Sequence, residues 1–156
     1  MSRFASIVLL VIALVCWVAY FAWPWIEIMS DPQQANAEHA KTHLRMGAPL
    51  HQVFAVTQPF LGTGIKGGLW LSSCGDPDLS AAIRFGEGGS IAYFSRAKRQ
   101  MTEAKYPSLA DLIRGIEQDP RLYTCSSGLL RFGIWGIPLR FSNGALETFS
   151  DVEYTD

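Results

Sequence analysis

Hydrophobic and polar positions along this chain fall into three patterns. Residues 4–25 show no periodicity: they read FASIVLLVIALVCWVAYFAWPW, without a charge, and only Ser6, Tyr20 and Pro24 interrupt the apolar character. A helix crossing a hydrocarbon core about 30 Å thick needs roughly 20 such residues at about 1.5 Å each. From Ala35 the pattern becomes helical, with Ala37, Ala40 and Leu44 near a 3.6-residue period and Gly47 where a left-handed C-cap would stand. Pro49 suits the first turn of a second helix carrying Leu50, Val53, Phe54 and Val56 on one face, so the spacing predicts an αα-hairpin joined at MGAP. A third helix is predicted over LADLIRGIEQ. Ser108 is its N-cap, Asp111 closes a capping box, and Asp119-Pro120 ends it.

The remaining segments follow a period of two. Strands are predicted over residues 69–73, over 82–85 and 91–94 on either side of GEGGS, and over 129–134, 138–141 and 145–149. Asn143-Gly144 between two apolar runs favours a type I′ turn, whose central residues both need positive φ. The order is neither a βαβ alternation nor an all-β string. It predicts an α+β fold in which an antiparallel sheet carries the αα-hairpin and one further helix on one face, after an N-terminal transmembrane helix. Residues 1–25 are the anchor, and 26–34, with the turn-forming Asp31-Pro32, a juxtamembrane linker. Residues 35–156 form a domain of about 120 residues, large enough to bury its own core.

The apolar run also competes as a signal peptide, since Arg3 supplies a positive n-region. A signal h-region stops after about 7 to 15 residues at a small-residue site. Here Trp17, Tyr20, Phe21, Trp23 and Trp25 follow, which suits the aromatic belt of a retained span. Export with cleavage after Ala22 is the alternative. Cys16 follows Ala13-Leu14-Val15, a poor lipobox, and reads as a small apolar residue within the span. Arg3 and the α-amino group precede the span, whereas Glu27 and Asp31 follow it and no basic residue comes before Lys41. The positive-inside rule then places the N-terminus inside and the domain outside, anchored in an inner membrane and facing the periplasm if the cell is bacterial.

Net charge is −1, with 13 basic and 14 acidic residues, and no clustered basic patch suggests nucleic acid. The helix-Gly-helix around residues 39–57 is therefore not read as a DNA-binding motif. Gly62-x-Gly64-x-x-Gly67 formally matches the dinucleotide fingerprint, but GLWLSSC after it is strand-like where that motif needs a helix. His39 and His43 have metal-ligand spacing at i and i+4, and His51 would be the third ligand if the hairpin folded it back; a solvated face is the simpler reading. Asp76 and Asp78 read as a turn before a carboxylate pair. Ser72, Ser73, Ser126 and Ser127 lack nucleophile-elbow spacing, and Arg96, Lys98 and Arg99 read as a charged loop. Trp70, Trp135, Phe132, Phe141 and Phe149 are core candidates. No catalytic residue, metal ligand or cofactor is assigned.

HLRMGAPLHQVFAV, residues 43–56, resembles the helix-Gly-Met-x-x-x-x-V opening of small bacterial envelope domains of the SmpA/OmlA (BamE) and β-lactamase-inhibitor-protein types. LRFSNGALETFSD, residues 139–151, is similar to their closing hairpin. Met precedes Gly here where those domains have Gly-Met, and the helix after Tyr106 is additional. The resemblance implies an αα-hairpin on an antiparallel sheet and an envelope setting; it transfers no function.

Cys74 and Cys125 lie at the edges of predicted strands. Outside the cytoplasm such a pair is ordinarily a disulfide, so a Cys74–Cys125 bridge is expected. The function expected is that of a non-catalytic accessory or interaction domain of the cell envelope, with the membrane and an envelope protein as partners. The alternative is a small ligand-binding or hydrolytic domain built on the loop from Gly62 to Gly68 and the Asp76/Asp78 turn.

Overall fold

A computed structural model describes residues 3–29, 31–63, 67–86 and 88–155. Helix α1 (Arg3–Met29) carries the apolar run; Ser6–Ile26 is long and apolar enough to cross a membrane and is not buried against the rest of the chain. Helix α2 (Pro32–His43) begins earlier than its apolar period implies. The Asp31 carboxylate accepts the Gln33 N–H at 2.9 Å, and Pro32 takes the first helical position, where its missing N–H costs nothing. Asp31-Pro32 thus opens a helix instead of making a turn. Of the stretch expected as a linker, 26–29 belong to α1 and 32–34 to α2.

Among the described residues, eight strands form one antiparallel sheet: β1 (Gly67–Cys74), β2 (Leu79–Gly86), β3 (Gly88–Ser95), β4 (Gln100–Tyr106), β5 (Cys125–Phe132), β6 (Trp135–Ser142), β7 (Ala145–Phe149) and the short β8 (Glu153–Tyr154). Their order is β4-β3-β2-β1-β5-β6-β7, with β8 paired to β6. The first four make a meander. Helix α4 (Leu109–Gln118) then returns the chain so that β5 pairs with the free side of β1. Asn143 and Gly144 have φ of 51° and 75°, the type I′ geometry their sequence implies.

Alternation decides which face is covered. Leu69, Ile83, Ile91, Leu130 and Ile137 share one cross-strand row and are almost wholly buried beneath the helices. Helix α2 packs Ala37 and Ala40 over β5 and β6, and α4 packs Leu112 and Ile116 over β3 and β4. The six-residue α3 (Leu50–Ala55) sits against α4 and β7. Between α2 and α3 the chain turns at Met46-Gly47, where Ala48 N–H donates to the Arg45 carbonyl, and runs along β7: the Gly47 and Leu50 N–H groups donate to the Leu146 and Gly144 carbonyls, and Leu146 N–H donates to the Ala48 carbonyl. The segment at MGAP therefore covers the outer edge of the sheet, which explains why the two helices separate to pack on different elements.

The Ser108 hydroxyl accepts the Asp111 N–H at 3.1 Å and donates to the Asp111 carboxylate at 2.6 Å, capping α4. Ser108→Ala is expected to lower stability by about 1 kcal/mol in denaturant titrations; no change in midpoint would contradict the cap's contribution. Pro138 lies inside β6 without disrupting the sheet. Its carbonyl accepts from Ser150 N–H, so its amide side faces the gap between β7, which reaches Leu139, and β8, which begins pairing at Gly136.

Candidate functional site

Cys74 and Cys125 are directly opposed in the β1–β5 ladder, with Cα atoms 3.7 Å apart, and form a disulfide. The bridge closes one end of the sheet. At the other end, where Phe132 pairs with Trp135, the Trp135 indole N–H donates to the second oxygen of Asp31 at 3.2 Å and Ile28 packs on the core. The end of α1 is thus fastened to the end of the sheet opposite the disulfide.

The histidines do not converge. His39 and His43 stack with ring centroids 4.7 Å apart on the exposed side of α2, and His39 also meets the edge of Phe60. His51 faces α4, where its Nε2 lies 3.4 Å from Glu117. No group of three or more His, Cys, Asp or Glu among the described residues is placed to share a metal ion. The Asp76 carboxylate accepts the Asp78 N–H at 2.9 Å, and the Asp76 carbonyl accepts from Leu79, which is a turn leading into β2. Of the glycine motif, Gly64 lies outside the described residues, and Gly67 opens β1, so a strand follows the motif and not a helix. The loop and the Asp76/Asp78 turn lie at opposite ends of β1, about 23 Å apart at some 3.3 Å per residue. Ser72 and Ser127 bond to each other at 2.7 Å across β1 and β5. Arg96, Lys98 and Arg99 occupy the exposed β3–β4 turn.

The sheet face away from the helices is not a bare apolar surface. Trp70, expected in the core, is half-buried there, while Trp135, Phe132 and Phe141 are buried as expected. The indole lies across Gly68: a Cβ at that position would approach its ring to 3.2 Å and the Ile83 carbonyl to 2.5 Å. Arg84 and Arg131 flank it, with guanidinium carbons 5.8 and 5.7 Å from the ring centroid, within cation–π range. The register continues this cluster across the sheet. Lys105, Ser90, Arg84, Gly68, Arg131, Gly136 and Glu153 are successive cross-strand neighbours from β4 to β8. Nothing in local periodicity announces this row, because its residues come from seven strands and meet only through register. Farther along the same face, Phe94 and its partner Met101 are exposed.

A second polar cluster lies on the helical side. The Tyr93 hydroxyl donates to Asp119 Oδ2 at 2.6 Å, and Arg121 clasps the same carboxylate through Nε at 3.1 Å and Nη2 at 2.9 Å while stacking 3.9 Å over the Tyr93 ring. The Arg121 backbone N–H also donates to Oδ1. Burial would raise the Asp119 pKa, but the bonds from Arg121 and Tyr93 outweigh it and hold the carboxyl below its ordinary value. Burial, then the bond to Asp119, pushes the Tyr93 phenol upward. With two donors on each carboxylate oxygen, Asp119 has no acceptor left for a substrate proton. The cluster is suited to holding β3 against the end of α4, not to acid–base chemistry.

No family model, no curated protein and no solved structure matches this chain.

Proposed function

We propose that this protein is a single-pass, membrane-anchored domain facing the oxidising side of an inner membrane, the periplasm in a bacterium. It acts there as a non-catalytic accessory or protein-interaction module of the envelope. The observation that carries the reading is the pairing of an unburied apolar helix, Ser6–Ile26, with a disulfide in the domain fastened directly to its end. Such a bridge fits an oxidising compartment, and positive charge before the span supports that orientation. The resemblance to SmpA/OmlA-type envelope domains fits the same setting. The separated histidines and the filled acceptors of Asp119 support a role in binding over one in catalysis.

Protease added to intact spheroplasts is expected to digest the domain, while alkaline carbonate leaves the uncut chain in the membrane pellet. A mature protein beginning after Ala22 and released to the supernatant would overturn the anchor. Protection of the domain until the membrane is lysed would overturn the orientation. Crosslinking in cells is expected to capture a second envelope protein, and recovery of the monomer alone would count against the interaction role.

A further inference from the structure

We propose that the open face of the sheet docks on the anionic phospholipid headgroups of the membrane that holds α1, through Arg84, Arg131 and Lys105 with Trp70 seated among them. The inference rests on the anchor reading and adds a second membrane contact. Three observations carry it.

The first is reach. Met29 ends α1 and Asp31 is already bonded to Trp135 at the end of the sheet, and Asp31 stands at most about 13 Å beyond Trp25, counting helical rise and two extended residues. The headgroup layer is about 6 Å deep on each side of the hydrocarbon, and charge is felt over a further 8 Å or so at physiological salt. The basic row is one residue in from the Phe132–Trp135 end of the sheet, about 3.3 Å along the strands.

The second is charge. Lys105, Arg84 and Arg131 stand on alternate strands, roughly 10 Å apart, with only Ser90 and Gly68 between them. Arg84 and Lys105 are exposed, and neither forms an ion pair among the described residues. Arg131 is oriented by the Gly133 and Thr155 carbonyls, which take its Nε and Nη2. Glu153 ends the row at β8, while Asp31 near the same end is committed to Gln33 and Trp135. The row therefore presents its positive charge over β4 to β5.

The third is Trp70. An indole held half-exposed between two guanidinium groups has the amphipathic character that settles at headgroup depth.

The full chain in nanodiscs of phosphatidylcholine, with or without phosphatidylglycerol as the minor component, tests the proposal. A trace of headgroup-nitroxide lipid would report, by paramagnetic relaxation, the approach of the Arg84 and Gly68 amides relative to that of Asn143. Docking should appear with phosphatidylglycerol and fade at high salt. Arg84→Gln and Lys105→Gln should each reduce the docked-to-undocked ratio about fivefold. Equal relaxation in the two lipids, or indifference to both substitutions, would overturn lipid docking while leaving the anchor intact. Inorganic phosphate that shifts the Arg84 and Trp70 resonances equally in both discs would assign the row to a soluble anion instead. Failure of the chain to enter either disc would overturn the anchor and this contact together.

Discussion

Reducing the Cys74–Cys125 bridge in a Cys16→Ser background is expected to lower the unfolding free energy of the domain by about 4 kcal/mol. The linkage spans 51 residues, and cross-linking a loop of that size removes a correspondingly large chain entropy from the unfolded state. The enclosed segment holds β2, β3, β4 and α4, so β1 and β5 can meet only after half the domain is placed between them. At about 4 °C per kcal/mol for a domain of this size, the melting midpoint should fall by roughly 15 °C. Alanine is the better replacement where substitution is preferred, since both cysteines are buried and serine would strand two hydroxyls. Removing Cys16, which is exposed on α1, prevents exchange with the reduced pair. Thermal scans of the oxidised and reduced forms check the effect; a midpoint difference of only a degree or two would mean that the ladder closes equally well without the bridge.

What the sequence made legible depended on whether the relevant physics is local. The α4 cap at Ser108, the Asn143-Gly144 turn and the apolar length of α1 are each written within a few residues, and each stands where its motif places it. Strand β4 was illegible because both its faces are solvated: as an edge strand it has exposed side chains from Gln100 to Lys105 and no alternation to read. Asp31-Pro32 reads as a turn in the sequence because one dipeptide serves a turn and a helix start equally well, and only the bonds to Gln33 and Trp135 decide for the helix. Trp70 looked like core because a large aromatic in a strand usually is; its place on the open face follows from parity with Leu69 and Leu71, which point inward. The basic row and the Tyr93–Asp119–Arg121 cluster are products of register and of the α4 crossover, and neither has a sequence spacing to find. The disulfide was legible only once the compartment had been inferred from α1.

Asp119→Ala is expected to cost about 2 to 3 kcal/mol at neutral pH. It removes the acceptor from a Tyr93 hydroxyl on a residue only 5% exposed and leaves Arg121 without its carboxylate. Tyr93→Phe removes one donor and leaves the Arg121–Asp119 pair, so it should cost about 1 kcal/mol. The pH dependence has a definite sign. The folded carboxyl is held below its ordinary pKa, so its contribution is complete above the unfolded value near 3.9 and is lost as pH falls through the lower, folded value. The stability gap between wild type and Asp119→Ala should accordingly be flat from about pH 5 to 8 and narrow below about pH 4. At the alkaline end the phenol acts in the opposite sense. Its raised pKa keeps Tyr93 neutral in the fold, so stability declines once pH exceeds the unfolded phenol value near 10, and Tyr93→Phe should abolish that share of the decline. Urea titrations of the three proteins across this range give the test. A constant gap from pH 3 to 8 would show that Asp119 acts through packing alone, without the charge that Arg121 and Tyr93 hold in place.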